Sequence, residues 1–443
     1  MNIQLSEHFT YSKLMRFTIP SIVMMVFTSI YGVVDGFFVS NYVGKTPFAA
    51  VNFIMPFLMV LGAVGFMLGT GGSALISKTM GEGDNAKARR IFSLLVYTGA
   101  ALGIVIAALG IIFIEPVAVL LGAEGEMLEY CVIYGRIILL ALPALILQFE
   151  FQTYFVTAEK PQLGLAVTVA AGVTNMVLDW LFMAVLEWGV VGAAAATATS
   201  QAVGGLAPLF YFASKNSSLL RLTKTNIDGG VLLKTTINGS SELMSNISMS
   251  IVGMLYNAQL MKYAGEDGVA AYGVLMYVNF VFISMFIGYA VGTAPVVGYH
   301  FGALNHPELK NLLKRSAVII GIFSVCMFLL AQVLATPLSS LFVGYDEELM
   351  ALTLRGFRIY SFSFLFAGIA IYGSAFFTAL NDGLTSALIS FLRTLVFQIA
   401  AVMLLPLIFD VDGIWISVVV AEAVAAIVTL IFLFAKRKKY RYM

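Results

Sequence analysis

Of the 443 residues in the chain, 60% are hydrophobic and only 11% are charged, against about a quarter charged in soluble domains. A soluble fold of this size would lack the polar surface needed to cover itself. The net charge is +1 and the basic residues fall in short clusters, so nothing suggests a nucleic-acid partner.

Lys13 and Arg16 precede an apolar run too long for the core of a cleavable signal, so the first span is expected to be retained. A bilayer core of roughly 30 Å takes about 20 apolar residues per helix. Twelve stretches qualify: 17–39, 52–76, 91–114, 132–157, 162–185, 190–213, 231–261, 270–298, 314–336, 356–380, 384–408 and 413–435. The seventh and eighth exceed what a membrane requires and are expected to tilt or project. Cys131 and Cys326 lie in or beside apolar runs and suggest neither a disulfide framework nor a metal site. The N-terminus, the even-numbered loops and the C-terminal tail hold 19 Lys and Arg. The other side holds five (Lys45, Arg136, Lys262, Arg355 and Arg358), and Arg393 falls inside a span. The positive-inside rule then places both termini in the cytoplasm of a multi-pass plasma-membrane protein.

Sliding the chain against itself by 221 residues brings many positions into register without a gap. Gly44 meets Gly265, Gly71 meets Gly292, Gly81 meets Gly302, Pro116 meets Pro337, Gly135 meets Gly356 and Gly192 meets Gly413. Six spans in each half mean that both halves enter the membrane from the same side. The expected fold is therefore all-α, with twelve transmembrane helices in two pseudo-symmetric six-helix bundles, an arrangement of secondary transporters. The expected divisions are a first lobe at 1–213, a cytoplasmic linker at 214–230 and a second lobe with a basic tail at 231–443.

Six ionisable residues lie inside spans: Asp35, Glu150, Asp179, Glu242, Arg393 and Glu422. Each charge near a bilayer centre costs about 2.5–3.5 kcal/mol on insertion scales. A carboxyl group there pairs, binds a cation or takes up a proton. At 1.5 Å per residue, Asp35, Asp179 and Thr197 lie at similar depth in the outer half of the first lobe. Asn175, four residues before Asp179, shares its helix face. Two carboxylates, an amide and a hydroxyl at one level are suited to Na⁺ or to proton exchange. Their repeat partners are Tyr256, Val396, Ala400 and Val418, so the polar set is confined to one half. The bland alternatives stay open: Asp35 could be wetted near a helix end, and Asp179, Asn175 and Thr197 could be interhelix glue. Glu242 is an acid unique to the second half and a candidate for substrate or ion contact. Glu150 and Glu422 could pair with Lys or Arg, and Arg393 suits a partner for an acid. His8, His300 and His306 fall at span ends and are expected to be solvated.

These residues resemble the multidrug and toxic compound extrusion (MATE) family over essentially the whole chain. The resemblance rests on Val34-Asp35-Gly36 with Gly44 and Ala49-Ala50, on Gly69-Thr70-Gly71-Gly72-Ser73-Ala74, on Gly81-Glu82-Gly83-Asp84 with Ala88 and Arg89, and on the Asn175–Asp179 spacing. The first lobe looks closer to the DinF-like bacterial branch than to the NorM-like one. The resemblance implies a V-shaped pair of bundles that alternate access, with inward H⁺ or Na⁺ movement driving export of amphipathic organic cations. It assigns the coupling site to Asp35, Asn175, Asp179 and Thr197, and helix bending to Pro20. Tyr31, Tyr134 and Gln152 match further first-lobe polar positions, and Glu242 matches a second-lobe acid of NorM-like members. The acidic partner of that residue on the tenth span is missing, since Tyr372 to Leu380 carries no charge. Glu150, Gln152 and Glu242, with Tyr31 and Tyr134, are the candidates to line a substrate cavity. No cofactor beyond the coupling ion, no enzymatic activity and a monomeric state are expected. The alternative is a flippase or exporter of lipid-linked or other polar metabolites, which would favour a cationic cavity, whereas the acids inside spans outnumber Arg five to one.

Overall fold

The computed structural model describes residues 3–443, which form helices and connecting turns with no strand among them. The first half runs through α1 (Tyr11–Tyr42), α2 (Lys45–Gly81), α3 (Asn85–Leu121), α4 (Gly125–Thr157), α5 (Pro161–Asp179) and α6 (Gly189–Ala213). A non-helical segment then leads to α7 (Gly229–Gly302), α8 (His306–Val343), α9 (Glu347–Tyr360), α10 (Phe364–Ala379), α11 (Gly383–Phe391), α12 (Phe397–Leu404) and α13 (Pro406–Tyr440). Eleven of the helical stretches are long and apolar enough to cross a membrane. The 74-residue α7 breaks at Gly265, which has φ 63° and ψ −153°, so it supplies two spans and the total is twelve. The seventh and eighth spans, expected as separate helices, meet at that one residue. Large apolar side chains such as Ile112, Leu120, Val333 and Leu341 are exposed. In water that surface would be a liability, and in lipid it is the appropriate solvent contact.

The repeat read from glycine spacing recurs in the backbone. Gly44 and Gly265, Gly83 and Leu304, and Gly189 and Asp410 are pairs 221 residues apart, and all six have positive φ. Leu304 and Asp410 show that the turn, rather than the glycine, is what the duplicate kept. The helix starts repeat as well. The side chain of Asp84 accepts from the backbone N–H of Lys87 at the start of α3, and its partner Asn305 accepts from Glu308 at the start of α8. These caps satisfy donors that a helix terminus otherwise leaves free.

The two halves meet about a pseudo-twofold axis. Gly81 abuts the carbonyl of Tyr299, and its partner Gly302 abuts that of Lys78. Gly71 packs on Thr235 and Gly239, and its partner Gly292 packs on Thr18. Ser77 and Gly298, themselves partners, face each other, which places them on the axis. Each contact exchanges for its counterpart, as in an isologous dimer interface. At every one of these glycines a Cβ would press on the facing half, so the seam requires hydrogen there. The same end carries an N-terminal strap: Leu5 N–H donates to Glu159 at 2.7 Å and Phe9 N–H donates to Glu308 at 3.0 Å. The halves are thus fastened together at the end that carries the termini. His300 lies inside this region, 1% exposed, with its Nδ1 3.2 Å from Asn305. Its expected solvation is therefore corrected: the tight helix seam buries the ring.

Candidate functional site

In the first half, four helices converge on one polar cluster. Gly172 lets α1 approach α5, because a Cβ there would meet Phe27 at 2.5 Å and Tyr31 at 2.9 Å. That approach brings Asp35, one turn beyond Tyr31, over the α5 face that carries Asn175 and Asp179. The Asp35 carboxyl faces Asp179, Asn175 and Thr197. Tyr134 of α4 lies beside both aspartates and points its hydroxyl at Thr197 of α6. Asp179 closes α5, and a π-helical stretch follows at Trp180–Val185. Such widened turns often mark functional sites, because they re-aim the neighbouring side chains.

The cluster is close but not closed. One Asp35 oxygen, the Asn175 carbonyl, both Asp179 oxygens and the Thr197 hydroxyl are buried with no hydrogen-bond partner. Buried carboxyls are costly unless they are paired, protonated or bound to a cation. Five unsatisfied oxygens converging from α1, α5 and α6 fit a hard cation or a shared proton.

The other sequence candidates fall elsewhere. Pro20 lies inside an unbroken α1, where the neighbouring Ser21 and Ile22 backbone packs on Gly288 of α7. Glu150 is fully buried against Gly99 of α3, with both oxygens unpartnered. It pairs with no Lys or Arg among the described residues, a correction to that expectation. Its helix is simply too tightly packed on α3 for solvent or a long cationic side chain to reach it. Gln152 lines a small closed cavity between α4, α5 and α6.

Glu242, on α7, faces the guanidinium of Arg393. Arg393 in turn donates through Nε to Glu422 of α13 at 2.8 Å. The ion pair of Arg393 is therefore with Glu422, and Glu242 lies within electrostatic reach of its charge. Arg393 sits on a π-helical stretch, Leu392–Val396, so each half has its charged group at a widened turn. Gln148 was not singled out from the sequence. It faces the Tyr31 hydroxyl and packs on Gly204, and its four-residue spacing from Gln152 was the available signal.

Comparison with known proteins gives one answer. Residues 20–181 and 243–404 each match the MatE family model, two stretches of equal length set apart much as the repeat is. Multidrug export protein MepA of Staphylococcus haemolyticus is 26% identical over 436 residues, covering 98% of this chain and 95% of that protein. MepA of Staphylococcus saprophyticus is 25% identical, covering 97% and 94%. Among solved structures, one described as the outward-facing conformation of a multidrug resistance MATE family transporter superposes with a TM-score of 0.93. It is 24% identical and covers 99% of this chain and 98% of its own. A crystal structure of MATE in complex with MaL6 gives 0.92 at 24% identity over the same shares. Two family-model matches, a twelve-span fold and full-length similarity to its relatives place this multi-pass membrane protein in the MatE family.

Proposed function

We propose that the protein is a cation-coupled antiporter that exports amphipathic, often cationic, organic compounds by alternating access. Loading and unloading of H⁺ or Na⁺ at Asp35, Asn175, Asp179 and Thr197 supply the drive. The observation that carries this reading is the cluster of unpartnered oxygens that three helices bring together in the first half, whereas Arg393 and Glu422 in the second half neutralise each other. Multidrug export by the MepA relatives supports the substrate class. The excess of Lys and Arg on the side of the termini supports a plasma-membrane orientation with both ends cytoplasmic. On that orientation the fastened seam closes the cytoplasmic end. The lobes are taken as 1–213 and 231–443, joined by the linker at 214–230. Each charge moving down 100 mV supplies about 2.3 kcal/mol, enough for a gradient of tens-fold in a neutral substrate, whereas for a monovalent cation exchanged one for one the charges cancel and the concentration gradient of the coupling ion supplies the drive. The chain acts as a monomer, without enzymatic chemistry or a resident cofactor.

The test is efflux of an organic cation from proteoliposomes under separately imposed pH and Na⁺ gradients. Wild type is compared with Asp35→Asn and Asp179→Asn. The proposal expects one gradient to drive export in wild type and neither to drive it in the variants. Gradient-driven export that survives both substitutions removes the assigned roles.

A further inference from the structure

The same helix faces that hold the acid cluster continue inward as a polar file. On α5, Asp179, Asn175, Thr168 and Gly164 fall on one face at helical spacing. On α6, Thr197 is followed one turn later by Gln201, then Gly204 and Pro208. On α1, Tyr31 lies one turn inside Asp35 and faces Gln148 of α4, and Gln152 is the next turn of α4. The file ends in a cavity of about 10 Å³ lined by Gln148, Gln152, Thr168, Gly164 and Gly204. From Asp179 to Gly164 the α5 face spans roughly 22 Å at 1.5 Å per residue.

Three features mark this as a built hydrated site. Gln148, Gln152 and Thr168 are 4%, 4% and 3% exposed, so bulk water does not reach them. The Gln148 and Gln201 carbonyls and both polar atoms of Gln152 have no partner, a costly state for a buried amide. The cavity is about the size of one water, and water needs two to four polar neighbours to stay. No acidic or basic residue lines it. The repeat again acts as an internal control. The partners of Tyr31, Gln148, Gln152 and Thr168 are Val252, Ile369, Gly373 and Ile389. A file that served folding alone would be expected in both halves.

We infer that this file is the proton route between the acid cluster and the termini end, carried by ordered water held on Gln148, Gln152 and Thr168. The inference rests on the proposed coupling role of Asp35 and Asp179, and it commits that role to H⁺. In each transfer a carboxyl O–H bond in the cluster breaks and leaves a carboxylate, a water oxygen takes the proton in a new O–H bond, and each further hop breaks one water O–H bond as the next water forms one. At the inner end of the cavity Phe155 packs with Tyr211 and Phe212, with ring centroids 5.0 to 5.9 Å apart.

The test uses the full chain in proteoliposomes with tetraphenylphosphonium as the probe cation, comparing wild type with Gln152→Leu, Gln148→Leu and Thr168→Val. Radiolytic labelling in ¹⁸O water reports bound water next to Pro208 and Phe155. The expected result is ¹⁸O incorporation there in wild type, reduced in Gln152→Leu. Export driven by a pH gradient should fall about tenfold or more in the two Leu variants, while probe binding by Gln148→Leu, which also shows that this variant is folded, stays within about twofold of wild type. Wild-type export rates in both Leu variants, absence of label in wild type, or loss of probe binding by Gln148→Leu in step with export would each overturn the route. Normal export in Asp35→Asn would instead overturn the coupling site on which the route depends.

Discussion

Arg393 and Glu422 close an ion pair at 2.8 Å inside the second half, while in the first half two acids, Asp35 and Asp179, face each other. The repeat partners of Arg393 and Glu422 are Gly172 and Gln201. One duplicate therefore carries an acid with its counter-charge in the chain, where the other has Gly172, packed against Phe27 and Tyr31, and the amide of Gln201. With side chains 17% and 8% exposed, the pair is shielded enough for its loss to matter. Removing one member of such a pair strands the other, which costs about 3 kcal/mol, whereas replacing both is nearly neutral. Arg393→Met should therefore lower the thermal midpoint of the purified protein clearly. The double variant Arg393→Met/Glu422→Met should recover most of that loss. Equal midpoints for the single and double variants would contradict the pairing.

The glycine seam makes a second prediction, about conformation. A Cβ at Gly302 presses on the Lys78 backbone, and backbone cannot swing aside as a side chain can. Overpacking of this kind costs about 1–3 kcal/mol, charged only to the state in which the seam is shut. Gly302→Val should therefore shift the population toward an open termini end. The measurement is thiol labelling of Ser77→Cys, buried on the axis, in a background where the exposed Cys326 is replaced. Labelling should accelerate about tenfold in the presence of Gly302→Val. An unchanged labelling rate would mean that the seam is not the gate.

Asp382 sets a pH dependence outside the membrane. It caps α11 and accepts from the Tyr440 hydroxyl at 2.8 Å and from Lys436 at 3.1 Å. Burial alone would raise its pKa, but Tyr440, Lys436 and Thr385 outweigh burial and hold the carboxyl below the usual aspartate range. A carboxyl whose folded value lies below its unfolded one, about 3.9, stabilises fully above the unfolded value. That contribution is lost as pH falls through the folded value. Asp382→Asn should cost about 1–2 kcal/mol at pH 7, and the gap in thermal midpoint from wild type should vanish below about pH 3. A gap independent of pH would show that the charge contributes nothing.

Much of this was legible in the sequence because the signals are local or periodic. Span number follows from apolar run length, and the duplication from glycine spacing. The first-half cluster followed from depth and from the four-residue step between Asn175 and Asp179. Depth along a helix does not give rotation about it, however, and that is where the reading stopped. Glu150 is as deep as a functional acid should be, yet it turns toward Gly99 and away from any open space. The cation that pairs with Glu422 comes from a π-helical turn that no run of residues announces. The closed cavity beside Gln152 depends on glycines in two other helices. Such relations are set by tertiary packing, which a single sequence does not record.

The central claim is that the first-half acids exchange their bound cation for the substrate. Purified protein in weakly buffered detergent solution, titrated with a lipophilic organic cation, reports this directly through a pH indicator and a Na⁺ electrode. Wild type and the Arg393→Met/Glu422→Met double variant should release H⁺ or Na⁺ as the substrate binds. Asp35→Asn and Asp179→Asn should bind substrate and release much less. Undiminished cation release from both aspartate variants would contradict the account.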